Sequence, residues 1–145
     1  MDLQTLYQVA EQDNIDVFQF STHNKKAFCI DDGTIQIIAM DYNKIESRQE
    51  EKEILAEELA HLQHKLLYFL TDYSNPNFIS NARKSEKRAQ RYAAEMLIPF
   101  DELFETLKTT TSLWELAEHF DTSETIVHIA IDHYQRKGLL PYPQN

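Results

Sequence analysis

Cysteine, glycine and proline are nearly missing from this chain of 145 residues, which holds one Cys, two Gly and four Pro. A single thiol, Cys29, excludes an internal disulfide framework and suits a reducing compartment. So few glycines and prolines leave little material for tight turns and point to a helix-rich build. Basic charge is scarce too, with 14 Lys and Arg against 24 Asp and Glu and a net charge of −10. A nucleic-acid binder needs a basic footprint to neutralise phosphates, so this balance argues against direct DNA binding. No apolar run reaches the roughly 20 residues that a membrane-spanning helix requires. The start, Met1-Asp2-Leu3-Gln4, has no basic stretch leading into an apolar one. No secretory signal is therefore expected, and the expected location is the cytoplasm.

Apolar residues are present in quantity, at 42% with eight Phe and seven Tyr, enough for the core of one domain with a small appendage. Leu3, Leu6, Tyr7 and Ala10 recur at helical spacing across residues 2–13. A short strand is expected over Val17 to Phe20. Two β-prone runs, Ala27 to Ile30 and Thr34 to Ile38, flank Asp31-Asp32-Gly33, whose Asp-Gly step favours a hairpin. From Ser47 to Phe69 the pattern is helical, with Leu55, Leu59, Leu62, Leu66 and Phe69 inside an arc of about 80°. A polar loop over Thr71 to Asn81 leads to a second long helix from about Ala82 to Leu97, stopped by Pro99. Three shorter helices are expected over Asp101 to Lys108, Leu113 to Phe120 and Ser123 to Arg136. Thr111 or Ser112 and Thr122 or Ser123 are suitable N-caps.

The stretch with chemical content is Glu57-Glu58-Leu59-Ala60-His61. It departs by one letter from the zinc-protease pattern H-E-x-x-H, with Glu57 where the first histidine is expected. Ligands at i and i+4 share a helix face and reach one ion, and the glutamate after the first ligand serves as general base. Glu57 and His61 keep that spacing, and Glu58 holds the base position. His64 and Tyr68 fall on the same polar face, opposite the apolar arc. An ordinary surface helix can show such a face as well. Along the second helix Ala89, Ala93 and Leu97 lie within about 60° of Glu86. Such a stripe lets two helices approach closely, so that Glu86 can reach the ion as a third ligand; the alternative is an ordinary surface carboxylate among Lys84, Lys87 and Arg88. Glu95 points the other way and is assigned a structural role.

These residues make the chain resemble the ImmA/IrrE (DUF955-type) metallopeptidases of phages, mobile elements and bacterial stress responses. The resemblance runs from the hairpin Lys26 to Ile38, through Glu53 to His61, to the block Glu86 to Pro99, with its spaced alanines and closing Leu97-Ile98-Pro99. It implies His61 and Glu86 as metal ligands and Glu58 as general base. Glu57 takes the first-ligand position, where the family usually has histidine. A His/Glu/Glu set neutralises a divalent ion fully, so the ion is a weaker Lewis acid, with zinc the default and manganese favoured by the extra oxygen.

The expected fold is α+β: a zincin-like core over residues 1–100 with a small antiparallel sheet or hairpin and two long metal-site helices, and a helical part over 101–145. Leu113 to Phe120, Asp121-Thr122-Ser123 and Glu124 to Tyr134 have the cadence of a helix-turn-helix. Residues 101–145 nevertheless hold eight acidic and three basic residues, which suits packing or protein docking better than DNA. His119, His128 and His133 are expected at the surface. The basic set Arg83, Lys84, Lys87, Arg88 and Arg91 could attract an acidic partner, but reads more simply as a solvated face balanced by Glu51, Glu53 and other carboxylates. Thr34 to Met40 could offer an edge strand on which a substrate adds, or be plain hairpin structure and nothing more. The resemblance implies a cytoplasmic zinc-dependent peptidase acting on an XRE/CI-like helix-turn-helix repressor; the alternative is a non-catalytic antirepressor on the same scaffold.

Overall fold

The most apolar strand takes the middle of the sheet. In the computed structural model, which describes residues 1–66 and 78–142, β1 (Ile15–Gln19), β2 (Ala27–Asp31) and β3 (Gln36–Met40) are ordered β1-β3-β2. β2 and β3 form the expected antiparallel hairpin, with Asp31 opposite Gln36. β1 runs parallel to β3, with Ile15 opposite Gln36. The sheet is thus mixed, not antiparallel. Ile38, Ala39 and Met40 are fully buried, and a strand of that character gains most from a neighbour on each side. The turn is closed by side chains. The Asp31 carboxylate accepts the Gly33 amide, and Asp32 accepts those of Thr34 and Ile35. Gly33 supplies the positive φ of 89° that this turn requires.

Helix α1 (Leu3–Gln12) starts at Asp2, whose carboxylate accepts the Thr5 amide, and it buries Leu6 and Ala10. Helix α2 (Arg48–Gln63) is capped by Ser47, which accepts the Glu50 amide, and it buries Leu55, Leu59 and Leu62. It ends before the expected Phe69. His64 is its C-cap, Lys65 adopts a left-handed φ of 54°, and the Leu66 amide donates back to the His61 carbonyl at 2.9 Å. Tyr68, Phe69 and residues 71–77 of the expected loop lie outside the described residues. Helix α3 (Phe78–Leu97) begins ahead of the expected Ala82, with the rest of that expected loop, 78–81, as its first turn, and stops before Pro99. Its stripe behaves as its spacing predicts, with Ala89 0%, Ala93 1% and Leu97 0% exposed.

Among the described residues α2 and α3 make the most extensive contact between elements, because alanine leaves no side-chain bulk between the backbones. Ala93→Leu should therefore overpack this contact and lower stability by about 1–3 kcal/mol. Urea unfolding measures it, and an unchanged midpoint would contradict the close packing.

Helices α4 (Phe100–Leu107), α5 (Leu113–Phe120) and α6 (Glu124–Arg136) complete the chain. Of the paired cap candidates, Ser112 and Ser123 do the capping. Asp121, with a left-handed φ of 53°, turns the chain between α5 and α6. Several polar ties hold these helices to α2 and α3. Tyr134 donates to the Ile98 carbonyl at 2.6 Å, and Lys52 donates to the Phe120 carbonyl at 3.0 Å. Glu95 takes the structural role expected of it, 2.7 Å from His133 Nε2. His133 is consequently buried rather than at the surface, while His119 and His128 are exposed. Glu51 and Glu53 do not face the basic set: Glu51 accepts from Tyr7, and Glu53 accepts from Ser123. No helix among the described residues is long and apolar enough to cross a membrane.

Candidate metal centre

One helical turn separates Glu57 from His61 on α2, and Glu86 faces them from α3. One donor atom from each of the three lies within 4.8 Å of the others. His61 Nε2 stands 3.3 Å from Glu86 Oε1, and its Nδ1 is 2.8 Å from the Leu66 carbonyl oxygen. A carbonyl only accepts, so Nδ1 carries the proton and Nε2 is presented to the two carboxylates. The early end of α2 makes this possible. The left-handed turn at Lys65 brings the Leu66 carbonyl back beneath the imidazole.

The electrostatics describe a place short of positive charge. Burial raises the Glu57 carboxyl well above its ordinary range, and the hydrogen bond and charge of Glu86 raise it further. The hydrogen bond from His61 holds Glu86 far below the ordinary range. Burial alone would lower the His61 pKa, but its bonds to Glu86 and Leu66 outweigh that and bring it up to about 8. The group thus retains protons at neutral pH where a cation could replace them. Two carboxylates and one neutral imidazole match the charge of a divalent ion. Bonds of about 2.0–2.2 Å to a tetrahedral ion put its ligands roughly 3.3–3.6 Å apart, within reach of side-chain rotation. The residues fit a divalent metal.

A pH dependence follows for the metal-free protein. His61 and Glu57 both have folded pKa values above their unfolded ones, so the native state holds more protons than the unfolded chain, through Glu57 from about pH 4.5 and through His61 as well from about 6.5. Stability is then lost as pH climbs from 6.5 through about 8. The melting temperature of chelator-treated protein should fall between pH 6.5 and 8.5, and fall less with metal bound. A flat profile would rule out this proton-sharing arrangement.

The family model for the IrrE N-terminal-like domain, Peptidase_M78, matches residues 10–132. The chain belongs to the Peptidase_M78 family. No curated protein and no solved structure gives a match. The matched span takes in all three sheet strands, both long helices and most of α6.

In this Peptidase_M78 chain a cavity of about 410 Å³ opens onto the three residues, and Glu58, Cys29, Phe28 and Lys25 help to line it. Glu58 is half-buried, and burial raises its pKa even though the Cys29 thiol donates a hydrogen bond to its carboxylate. Burial pushes the Cys29 thiol up as well. Sequence reasoning missed Cys29, Lys25 and Leu66 as parts of this site. Period-two alternation could have placed Cys29 on the same face as buried Ala27. Nothing in the sequence could have placed the Leu66 carbonyl, since its position depends on where α2 ends. The structure also corrects the expected substrate edge. β3, containing most of Thr34 to Met40, is the central strand, and β2 is the edge that borders the cavity.

Proposed function

We propose that the chain is a metal-dependent endopeptidase that cleaves an XRE/CI-like helix-turn-helix repressor of a phage or integrative element, relieving repression. The observation that carries this reading is the convergence of Glu57, His61 and Glu86 beside Glu58 in one cavity of a Peptidase_M78 chain. Glu57, His61 and Glu86 would hold the ion, zinc by default and manganese as the oxygen-favoured alternative. When bound, the ion supplies Lewis acidity for a peptide carbonyl and for the attacking water.

The chain's own residues supply the rest. Glu58 takes the proton of the water and hands it to the leaving amine. Its raised pKa suits a carboxyl that must hold a proton between those two events. Leu66 keeps His61 in the tautomer that offers Nε2. The open edge of β2 can take an extended peptide as an added strand, with its carbonyls led towards Glu58. A cytoplasmic setting agrees with an unpaired Cys29 thiol.

The test is incubation of metal-loaded protein with a purified repressor of this type, followed by intact mass. Cleavage that a chelator stops and zinc or manganese restores is the expected result. A repressor that stays whole overturns the reading. The second reading, an antirepressor without turnover, is favoured by Glu57 itself, whose charge would weaken the ion as a Lewis acid.

A further inference from the structure

The connection between β1 and β2 carries two lysines, Lys25 and Lys26, to the cavity at the metal centre. It is fastened from several sides. Asp41, only 4% exposed, accepts the Thr22 amide at 3.1 Å and the Gln19 side-chain amide at 3.2 Å. Lys44 donates to the Thr22 carbonyl at 2.6 Å and to that of His23 at 2.9 Å. The Thr22 hydroxyl donates to the Lys25 carbonyl, and the Asp41 amide donates to that of Lys26 at 2.9 Å. The backbone that presents Lys25 is therefore set in place before a substrate arrives. Lys26 pairs with Glu50 at 2.6 Å. Lys25 lines the cavity in company with Glu58 and Glu86.

The charge of Lys25 is felt on three elements. Burial dominates at Cys29 and Glu58, and the His61 hydrogen bond dominates at Glu86, yet each of the three also responds to the Lys25 ammonium. They sit on β2, α2 and α3, so the ammonium faces the space that these elements enclose. That space is short of positive charge. Glu57 and Glu86 with a neutral His61 cancel the charge of a divalent ion, and Glu58 adds a negative charge beside them. In hydrolysis, water adds to the peptide carbonyl carbon, the C=O electron pair moves onto oxygen, and Glu58 takes the proton. The pair then returns, the C–N bond breaks, and the proton passes to the departing nitrogen, giving a carboxylic acid and an amine. Between these events the oxygen is an anion, and a centre of no net charge does little to hold it.

We infer that Lys25 is the electrophilic residue of this centre, its ammonium donating to the scissile carbonyl oxygen as negative charge gathers there. The inference rests on the peptidase reading. An ammonium has three donors and no acceptor, so Lys25 keeps its proton throughout. A peptide added along the open edge of β2 passes close to Lys25, two residues ahead of Ala27. Covering the ammonium in this way excludes water and strengthens its hold on the anion. Lys25 thereby makes up for the positive charge that is lost with Glu57 in the first-ligand position.

The zinc-loaded full chain, Lys25→Gln and Lys25→Arg are titrated by calorimetry with two blocked peptides of neutral side chains. One has a phosphinate in place of an amide, a tetrahedral anion that cannot be cleaved. The other has a neutral ketomethylene there. Lys25 is exposed, so neither substitution should disturb folding. Lys25→Gln should weaken phosphinate binding by about tenfold or more and leave ketomethylene binding unchanged, while Lys25→Arg keeps most of both. Zinc affinity should hold or rise in Lys25→Gln, since a positive charge beside the ion is gone. On a purified repressor, Lys25→Gln should lower kcat by about 10–100-fold with KM little changed. Equal losses for both peptides, or a loss of zinc, would give Lys25 a merely structural role and overturn the inference. It is overturned too if the unaltered chain does not bind the phosphinate, or if Lys25→Gln binds it equally well. A repressor left whole by the unaltered chain defeats the peptidase reading and this inference with it. A repressor cut equally fast by Lys25→Gln defeats the assignment of Lys25 alone.

Discussion

Glu58→Gln is expected to lower kcat for repressor cleavage by about 10²–10⁴-fold, with metal content and repressor affinity near those of the unaltered chain. The amide keeps the shape of the carboxylate and can still accept the Cys29 thiol hydrogen bond. It cannot take a proton from water. The loss should therefore fall on turnover and leave binding and folding intact. Kinetics on a purified repressor measure it, with affinity read separately on the uncleaved protein. Derepression that persists in this variant would end the peptidase reading and support the antirepressor, because a binder has no use for a base at that position.

Adding zinc to the metal-free protein should raise its melting temperature, and His61→Ala or Glu86→Gln should abolish the rise. An ion at a hundredfold excess over its Kd stabilises by about 2.7 kcal/mol, roughly 5–10 °C for a chain of this size. The physical source is replacement of retained protons by a dication. Burial raises Glu57, and its contact with Glu86 raises it further, because two carboxylates are held together with too little positive charge nearby. His61 carries an extra proton at neutral pH for the same reason. Because the ion must displace those protons, its affinity should be higher at pH 8 than at pH 6. Scanning calorimetry with zinc and with manganese is the measurement. A melting temperature that neither ion moves would exclude the metal centre.

Much of the architecture was legible locally. The helices from Phe100 to Arg136 fall within a residue or two of their expected bounds; Ser112 and Ser123 cap α5 and α6 with local hydrogen bonds, and α4 starts directly after Pro99. The Asp31-Asp32-Gly33 turn is equally local, closed by its own side chains. The i/i+4 pair on α2 and the alanine stripe on α3 were legible for the same reason, since a helix fixes the angle between residues along it. The misses are of another kind. β3, an edge by sequence pattern, is the centre; His133, a surface residue by pattern, is buried against Glu95; and Glu51 and Glu53 serve Tyr7 and Ser123. Each depends on which elements become neighbours, and one chain's spacing carries no information on that.

Taken by itself, the sequence determined that Glu57, Glu58 and His61 ride one helix with an apolar face opposite, and that Glu86 rides another able to approach closely. These are consequences of a 3.6-residue repeat and of the small volume of alanine. Only the tertiary structure decided that the three donors meet within 4.8 Å. It also decided that α2 stops in time for the Leu66 carbonyl to hold His61, and that β2 rather than β3 borders the cavity. Those outcomes rest on long-range packing and on burial, which shifts the protons of Glu57 and His61 only once the helices have closed on each other.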